Sequence, residues 1–160
     1  MAKKAPAVPT GYHTVTPSLF VAGAARALDF YQKALGAEEL MRFEGPDGKI
    51  MHAEFKVGDS IIMLSDEMPD HGGRSPRSIG GTPVSFFVYG ENVDAAWKRA
   101  VDAGAKEVVP LADQFWGDRT GCVEDPFGHQ WWLAQHVEDL TPEQIRKNAE
   151  TFFSQMQPAS

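Results

Sequence analysis

The sequence predicts an α+β fold in which one βαβββ plan occurs twice in a single chain. In each half, a short apolar strand precedes a segment with helical spacing, and that segment ends at a glycine, Gly36 or Gly104. Two apolar segments that begin with glycine, 58–64 and 128–134, are also similar. The offset between matching segments is roughly 70 residues, which is too long for a small solenoid unit and indicates a twofold duplication.

The first half is expected to hold four strands around one helix. Residues 14–21 alternate well enough for a strand, and Pro17 favours an edge or bulged position because proline cannot donate to a ladder. Apolar residues at three- and four-residue spacing predict a helix over 24–35. The three further strands are expected at 38–43, 49–57 and 60–65.

The second half repeats this order after a polar linker, 67–81, that is rich in glycine, proline and arginine. Its predicted helix covers 93–103, and its predicted strands are 84–89, 107–110, 119–123 and 130–134. The last two strands form a hairpin around the turn Asp125-Pro126-Phe127-Gly128, in which glycine can take a positive φ. The adjacent Trp131 and Trp132 must then point to opposite faces of the sheet.

A helix is also expected at the end of the chain. Thr141 is a suitable N-cap and Pro142 a suitable first residue, and the helix runs to about Met156 with an apolar stripe on one side. Such a stripe packs on its own domain or on a second subunit. The chain therefore divides into a flexible N-terminal segment, two modules joined by the linker into one domain, and a C-terminal helical segment: residues 1–12, 13–66 with 82–137, and 138–160.

Composition restricts the classes of function. A chain of 160 residues is long enough for one domain with a substantial core. The formal net charge of −7 disfavours nucleic acid as the main partner, because phosphate binding needs a clustered positive surface. No apolar run approaches the roughly 20 residues of a membrane span, and the N-terminus lacks the apolar core of a signal peptide. The single Cys122 cannot form an internal disulfide, which fits a cytoplasmic location.

Three features point to a known family: the duplicated βαβββ plan, Phe30-Tyr31 on the first helix, and the turn Asp125-Pro126-Phe127-Gly128-His129. Together they resemble the vicinal oxygen chelate superfamily, which includes glyoxalase I, extradiol dioxygenases, fosfomycin-resistance enzymes and bleomycin-binding proteins. Four stretches are similar to its PhnB-like branch: 46–54, 58–60, 65–67 and 115–119. The resemblance extends over most of the chain.

The resemblance implies two curved mixed sheets, each with its helix outside, that together enclose a cup, and it implies a homodimer because members commonly pair. Metal enzymes of the superfamily place one ligand, chiefly histidine or glutamate, on each of four cup strands. Carried over to this chain, those positions are Thr16, Met63, Val84 and Trp132. None of them supplies an imidazole or carboxylate donor, so the usual metal site is expected to be absent and no cofactor is predicted.

Strand alternation predicts what lines the cup instead. Alternate apolar residues from Met51 to Val57 form one face of their strand, so His52 and Glu54 share the other. Facing the cup, this pair would act as a general base or orient a ligand. The alternative is a solvated strand face, or a histidine bonded to a neighbouring strand.

The remaining candidates in the cup indicate the kind of ligand. Met63 and Trp132 would form an apolar floor and Trp116 a wall or lid, which suits a flat or aromatic organic ligand. Alternatively, these side chains simply fill the cup as core. Arg119 would bind an anionic group of the ligand, or would pair with an acidic residue of the hairpin.

Two functions follow from these observations. The first is a metal-independent protein of the bleomycin-resistance type that binds a small molecule in an aromatic cup. The second is a lyase or dioxygenase-like enzyme with a displaced divalent-metal site that uses His52 and Glu54. The other histidines and the cysteine are expected in exposed or structural positions: His13, His71, His129, His136 and Cys122.

Overall fold

A computed structural model describes residues 5–156; the predictions made for 1–4 and 157–160 lie outside the described residues. The first module consists of β1 (Ser18–Val21), α1 (Ala24–Leu35), β2 (Glu38–Glu44), β3 (Ile50–Val57) and β4 (Ser60–Asp66). A 3₁₀ turn (Pro69–His71) and the short helix α2 (Pro76–Ile79) follow. The second module consists of β5 (Ser85–Tyr89), α3 (Val93–Asp102), β6 (Lys106–Asp113), β7 (Asp118–Glu124) and β8 (Gln130–His136), and α4 (Pro142–Met156) comes last.

The two modules form two four-stranded mixed sheets of the same topology. Their strand orders are β1-β4-β3-β2 and β5-β8-β7-β6. In each sheet the first strand of the module pairs parallel with the last, and the other pairings are antiparallel. This confirms the predicted α+β fold with a duplicated βαβββ plan. The two sheets do not close into a barrel.

A buried carboxylate ties the two modules together where α1 meets the hairpin turn. Asp125 is 3% exposed. Its Oδ2 accepts hydrogen bonds from the Tyr31 hydroxyl (2.7 Å) and from the Trp131 indole nitrogen (2.9 Å). Its Oδ1 accepts from the backbone N–H groups of Phe127 and His129, both at 2.9 Å. Residues of the helix, the turn and β8 therefore share one fully bonded anion.

The structure corrects the predicted start of the first strand. β1 begins at Ser18, not at residue 14. The preceding residues form a turn in which the Thr16 hydroxyl donates to the carbonyl of His13 at 3.2 Å. Because Pro17 has no N–H, it stands at the natural limit of the ladder.

The predictions for the linker and for the first strand after α3 are also corrected. The linker is not wholly irregular, since Ser75 caps α2 by accepting from the Ser78 N–H. β6 continues past Pro110 to Asp113. The register shifts between Val109 and Ala112, so the proline lies in an irregular part of the pairing where no donor is needed.

The C-terminal helix α4 forms as predicted but buries none of its side chains. Thr141 and Gln144 cap it reciprocally, with the Thr141 N–H donating to the glutamine side chain and the Gln144 N–H donating to the threonine hydroxyl. Phe152 packs on Phe115, with ring centroids 5.3 Å apart. Among residues 5–156, no helix combines the length and apolarity needed to cross a membrane.

Candidate functional site

The candidate site is the face of each sheet opposite α1 and α3, which we call the cup face. Tyr31 of α1 stacks on Phe55 at 5.0 Å and contacts Trp131 at 5.3 Å, so these two rings lie on the helix side of their sheets. Side chains alternate along a strand. Glu54 and Trp132, next to them in sequence, therefore point to the cup face.

His52 and Glu54 lie together on the cup face of the first module. His52 Nε2 is 3.0 Å from Glu54 Oε1. Their side chains are 39% and 16% exposed, so the pair is neither core nor fully solvated. The hydrogen bond from His52 lowers the pKa of Glu54, and a weaker interaction with the Tyr12 hydroxyl lowers it further. Met63 lies opposite Glu54 on the neighbouring strand and is half-buried.

Three aromatic rings cover the cup face of the second module, and we call Phe87, Tyr89 and Trp132 the aromatic ladder. Phe87 and Trp132 stack with centroids 5.3 Å apart and planes 2° apart. Phe87 and Tyr89 follow at 6.2 Å and 27°. Phe87 and Tyr89 are 50% and 59% exposed, so this surface is open. Of these three rings, only Trp132 was predicted to line the cup, although alternation along β5 also places Phe87 and Tyr89 on this face.

A second group of polar side chains stands at the end of the aromatic ladder, around Asp118. This carboxylate accepts hydrogen bonds from the Tyr89 hydroxyl (2.9 Å) and the Trp116 indole nitrogen (3.1 Å), and it lies 2.8 Å from His136 Nδ1. Burial opposes the ionisation of Asp118, but these three bonds outweigh it and lower its pKa. Trp116, predicted as a wall or lid, thus lies at one rim of the cup.

The structure places Arg119 outside the cup, which corrects its assignment to the site. Its register partner on β8 is Gln135, whose side chain accepts from the Val93 N–H at the start of α3, so both residues lie on the helix side. The guanidinium donates to Asp94 and to Asp113. A structural ion pair was the alternative, but its partners are these two carboxylates rather than the acidic residues of the hairpin.

The positions carried over from metal enzymes do not provide a metal site. Met63 and Trp132 are on the cup face, but Thr16 lies in a turn before β1. Val84 precedes β5, and alternation from Phe87 places it on the helix side rather than on the cup face. The cup-facing residue opposite Trp132 is Phe87, which has no donor atom. Within residues 5–156, no group of three histidine, cysteine, aspartate or glutamate side chains is arranged to hold a metal ion. The donor set therefore does not fit the divalent metal of the superfamily's enzymes.

The remaining histidines and the cysteine differ in burial and in hydrogen-bond partners. His129 is buried and its Nε2 lies 3.2 Å from the Phe20 carbonyl, while His71 is exposed. Cys122 is 1% exposed, and this burial raises the pKa of its thiol more than any other interaction does. His136 bonds to Asp118 through one ring nitrogen and to Asp139, in the segment that leads to α4, through the other, and its side chain is half-exposed.

A cavity of about 600 Å³ lies between the two modules, beside the aromatic ladder. Residues 57–62 and 85–90 line it together with helix-side residues of both modules: Leu35, Val93, Ala96, Arg99, Trp131 and Leu133. Phe87 and Tyr89 of the aromatic ladder reach it, but its lining does not include His52, Glu54, Met63, Trp116 or Trp132. His13 and Arg99 contribute polar groups to its wall. Concave, mostly apolar spaces with a few polar groups are the usual places for small organic ligands.

Comparison with known proteins agrees with this architecture. The model of the Glyoxalase/Bleomycin resistance protein/Dioxygenase superfamily matches residues 12–133. The chain belongs to this superfamily. An uncharacterised protein of Mycobacterium tuberculosis is 47% identical over 135 residues, which are 82% of this chain and 79% of the relative.

Solved structures of the superfamily have the same fold. TioX from Micromonospora sp. ML1 is 28% identical, with a TM-score of 0.61 over 81% of this chain and all of TioX. A PhnB protein from Bacillus cereus has a TM-score of 0.60 over 77% of this chain and 99% of its own, at 18% identity. At that identity the likeness concerns the fold alone.

Proposed function

We propose that this superfamily member binds a small organic ligand with a flat or aromatic ring in its cup, without a divalent metal. The observation that supports this most directly is the aromatic ladder. Parallel rings at 5.3 Å with half of the Phe87 side chain exposed form a ready stacking surface. Phe87 and Tyr89 are 50% and 59% exposed, so a ligand can reach this surface from solvent.

The first module supplies the polar side of the proposed site. His52 and Glu54 offer a hydrogen-bonding pair, and Met63 beside them offers a polarizable sulfur that suits aromatic contacts. Trp116 closes the rim of the second module through its bond to Asp118. In this proposal the ligand stacks on Phe87 and Trp132.

The test is a titration of the protein with naphthalene, acridine and flavone derivatives, followed by tryptophan fluorescence. We expect Phe87→Ala to weaken binding about tenfold, since a stacked ring and its buried area contribute about 1–2 kcal/mol. Phe153→Ala, which removes an exposed ring on α4, is the matched control and should bind normally. Equal binding by decalin derivatives, or no effect of Phe87→Ala, would argue against the proposal.

A metal-dependent lyase or dioxygenase-like enzyme is the second candidate. The single observation in its favour is the 3.0 Å contact between His52 and Glu54, two residues of the types that ligate metals. This candidate predicts close to one divalent metal per chain, lost in His52→Ala.

We also propose that two copies pair in the cytoplasm. Large apolar side chains remain exposed on β2 and on α4, among them Phe43 (61%), Phe153 (57%) and Met156 (65%). Patches of this kind commonly mark association surfaces. Light scattering after size exclusion should give twice the chain mass of 17.6 kDa, and a monomer at micromolar concentration would contradict pairing.

A further inference from the structure

A histidine and an aspartate face each other at the end of the aromatic ladder. His136 and Asp118 are register partners on β8 and β7, with Nδ1 and Oδ1 2.8 Å apart. Asp118 is 6% exposed, whereas the side chain of His136 is 53% exposed. A buried carboxylate thus holds one ring nitrogen while the rest of the imidazole remains open to the cup rim.

Asp118 is arranged to orient this histidine and to connect it with the ligand surface. Its second oxygen accepts from the Tyr89 hydroxyl and the Trp116 indole, so the carboxylate is fully engaged. The ring of Tyr89 continues the stack from Phe87 at 6.2 Å. A flat molecule that lies over Phe87 and Tyr89 therefore extends toward His136.

The outer nitrogen of His136 is accessible to such a molecule. Nε2 lies 2.9 Å from Asp139, but the side chain of Asp139 is fully exposed, and exposed ion pairs are weak. In the structure Nε2 donates to Asp139; once the ring is neutral, with its proton on Nδ1 toward Asp118, Nε2 no longer donates to Asp139 and carries the lone pair. This is the tautomer that a general base requires.

We propose that His136, oriented by Asp118, is a general base that removes a weakly acidic proton from a flat ligand lying on Phe87 and Tyr89. The proposal rests on the proposed ligand binding and adds a proton transfer to it. Nε2 takes the proton, the electron pair of the broken bond stays with the ligand, and the imidazolium then returns the proton to water. The substrate class is an aromatic compound with an acidic C–H or O–H group.

The probe for this step is 5-nitrobenzisoxazole, a flat molecule with one acidic C–H. The base removes that proton, the electron pair of the C–H bond forms the nitrile, the ring N–O bond breaks, and the ring opens to a single coloured product, 2-cyano-4-nitrophenolate. We expect wild type to accelerate the reaction with a rate that rises through the pKa of His136 measured by NMR. His136→Ala should lower the rate about tenfold or more, and added imidazole should restore part of it.

Three further variants separate the orientation of His136 from general stability. Asp118→Asn should lower the rate and move the inflection of the pH profile, Asp139→Asn should move the inflection to lower pH and keep the rate reached at high pH, and His71→Ala, at an exposed histidine outside the cup, should change nothing. If the probe quenches tryptophan fluorescence but wild type and His136→Ala react equally fast, the proposal is overturned and ligand binding stands. If the probe neither quenches nor reacts, the proposed function and this proposal both fail for flat aromatic ligands.

Discussion

At the scale of single residues, two buried aspartates organise the second module in different ways. Asp125 receives four donors inside the core and joins α1 to the hairpin turn. Asp118 receives its donors at the rim of the cup, where His136 and Tyr89 remain open to solvent. The first contributes to folding, whereas the second holds side chains that remain exposed at the rim of the cup.

The role of Asp125 leads to a prediction about stability. Tyr31→Phe should reduce the free energy of unfolding by about 1–2 kcal/mol, since it removes one buried hydrogen bond. Asp125→Ala should cost more than about 3 kcal/mol, because several buried donors then lose their partner. Tyr89→Phe, which removes a hydroxyl from Asp118 at a half-exposed position, is the control and should cost less than Tyr31→Phe. Urea denaturation at pH 7 measures all three, and equal costs for the two tyrosines would contradict this account.

The bonds of His136 predict a pH dependence. The hydrogen bonds that His136 donates to Asp118 and Asp139 favour the protonated ring and raise the pKa of His136. A raised pKa adds stability that is complete below the ordinary value of about 6.5 and is lost as the pH rises through the folded-state pKa. The difference in unfolding free energy between wild type and His136→Gln should therefore be larger near pH 6 than near pH 9. A difference that grows with pH would show that the ring is held in its neutral form.

At the scale of helices and strands, local patterns determined most of the fold. Helical spacing predicted α1 from Ala24 to Leu35. The helix ends there because Gly36 takes a left-handed conformation that stops it. Alternation separated His52 and Glu54 from the buried side of β3, but it placed Met51 on that side wrongly: a register shift lies between His52 and Ile50, so Ile50 is buried and Met51 is 41% exposed. The other assignments succeed because each depends on neighbours along the chain.

The site was less predictable because it depends on contacts between distant segments. The stack of Phe87 on Trp132 requires the parallel pairing of β5 with β8, which no local pattern specifies. Arg119 was misplaced for the same reason, since its partner Asp94 lies on α3. Pro17 and Pro110 showed where the strand pairing begins or becomes irregular, but they did not show how far each strand extends.

The packing of α3 on the second sheet gives a prediction at this scale. A Cβ at Gly121 would lie 2.6 Å from Trp97 of α3 and 2.8 Å from the backbone of Leu111. Gly121→Ala should therefore destabilise the protein by about 1–3 kcal/mol through overpacking. Gly90→Ala is the matched control, because a Cβ there meets nothing within 4 Å. Thermal unfolding of the two variants distinguishes them, and similar melting temperatures would contradict the packing of Trp97 against β7.

At the scale of the whole molecule, the duplicated modules present two unlike faces. The helix side is a continuous core in which Tyr31, Phe55 and Trp131 pack together. The cup side is open and combines a polar pair on the first sheet with stacked rings on the second. The superfamily's fold is thus retained, while the positions carried over from its metal enzymes hold Thr16, Met63, Val84 and Trp132, which lack the imidazole and carboxylate donors of a divalent-metal site.

In the proposed function, the cup binds a flat or aromatic organic ligand without a divalent metal. The most direct measurement is elemental analysis of protein purified without chelators, beside His52→Ala, together with a titration of a bound aromatic compound before and after EDTA treatment. We predict less than one tenth of a divalent metal per chain and the same affinity in both titrations. About one metal per chain, lost in His52→Ala and accompanied by weaker binding after EDTA, would contradict the claim and establish a metal enzyme with a rebuilt site.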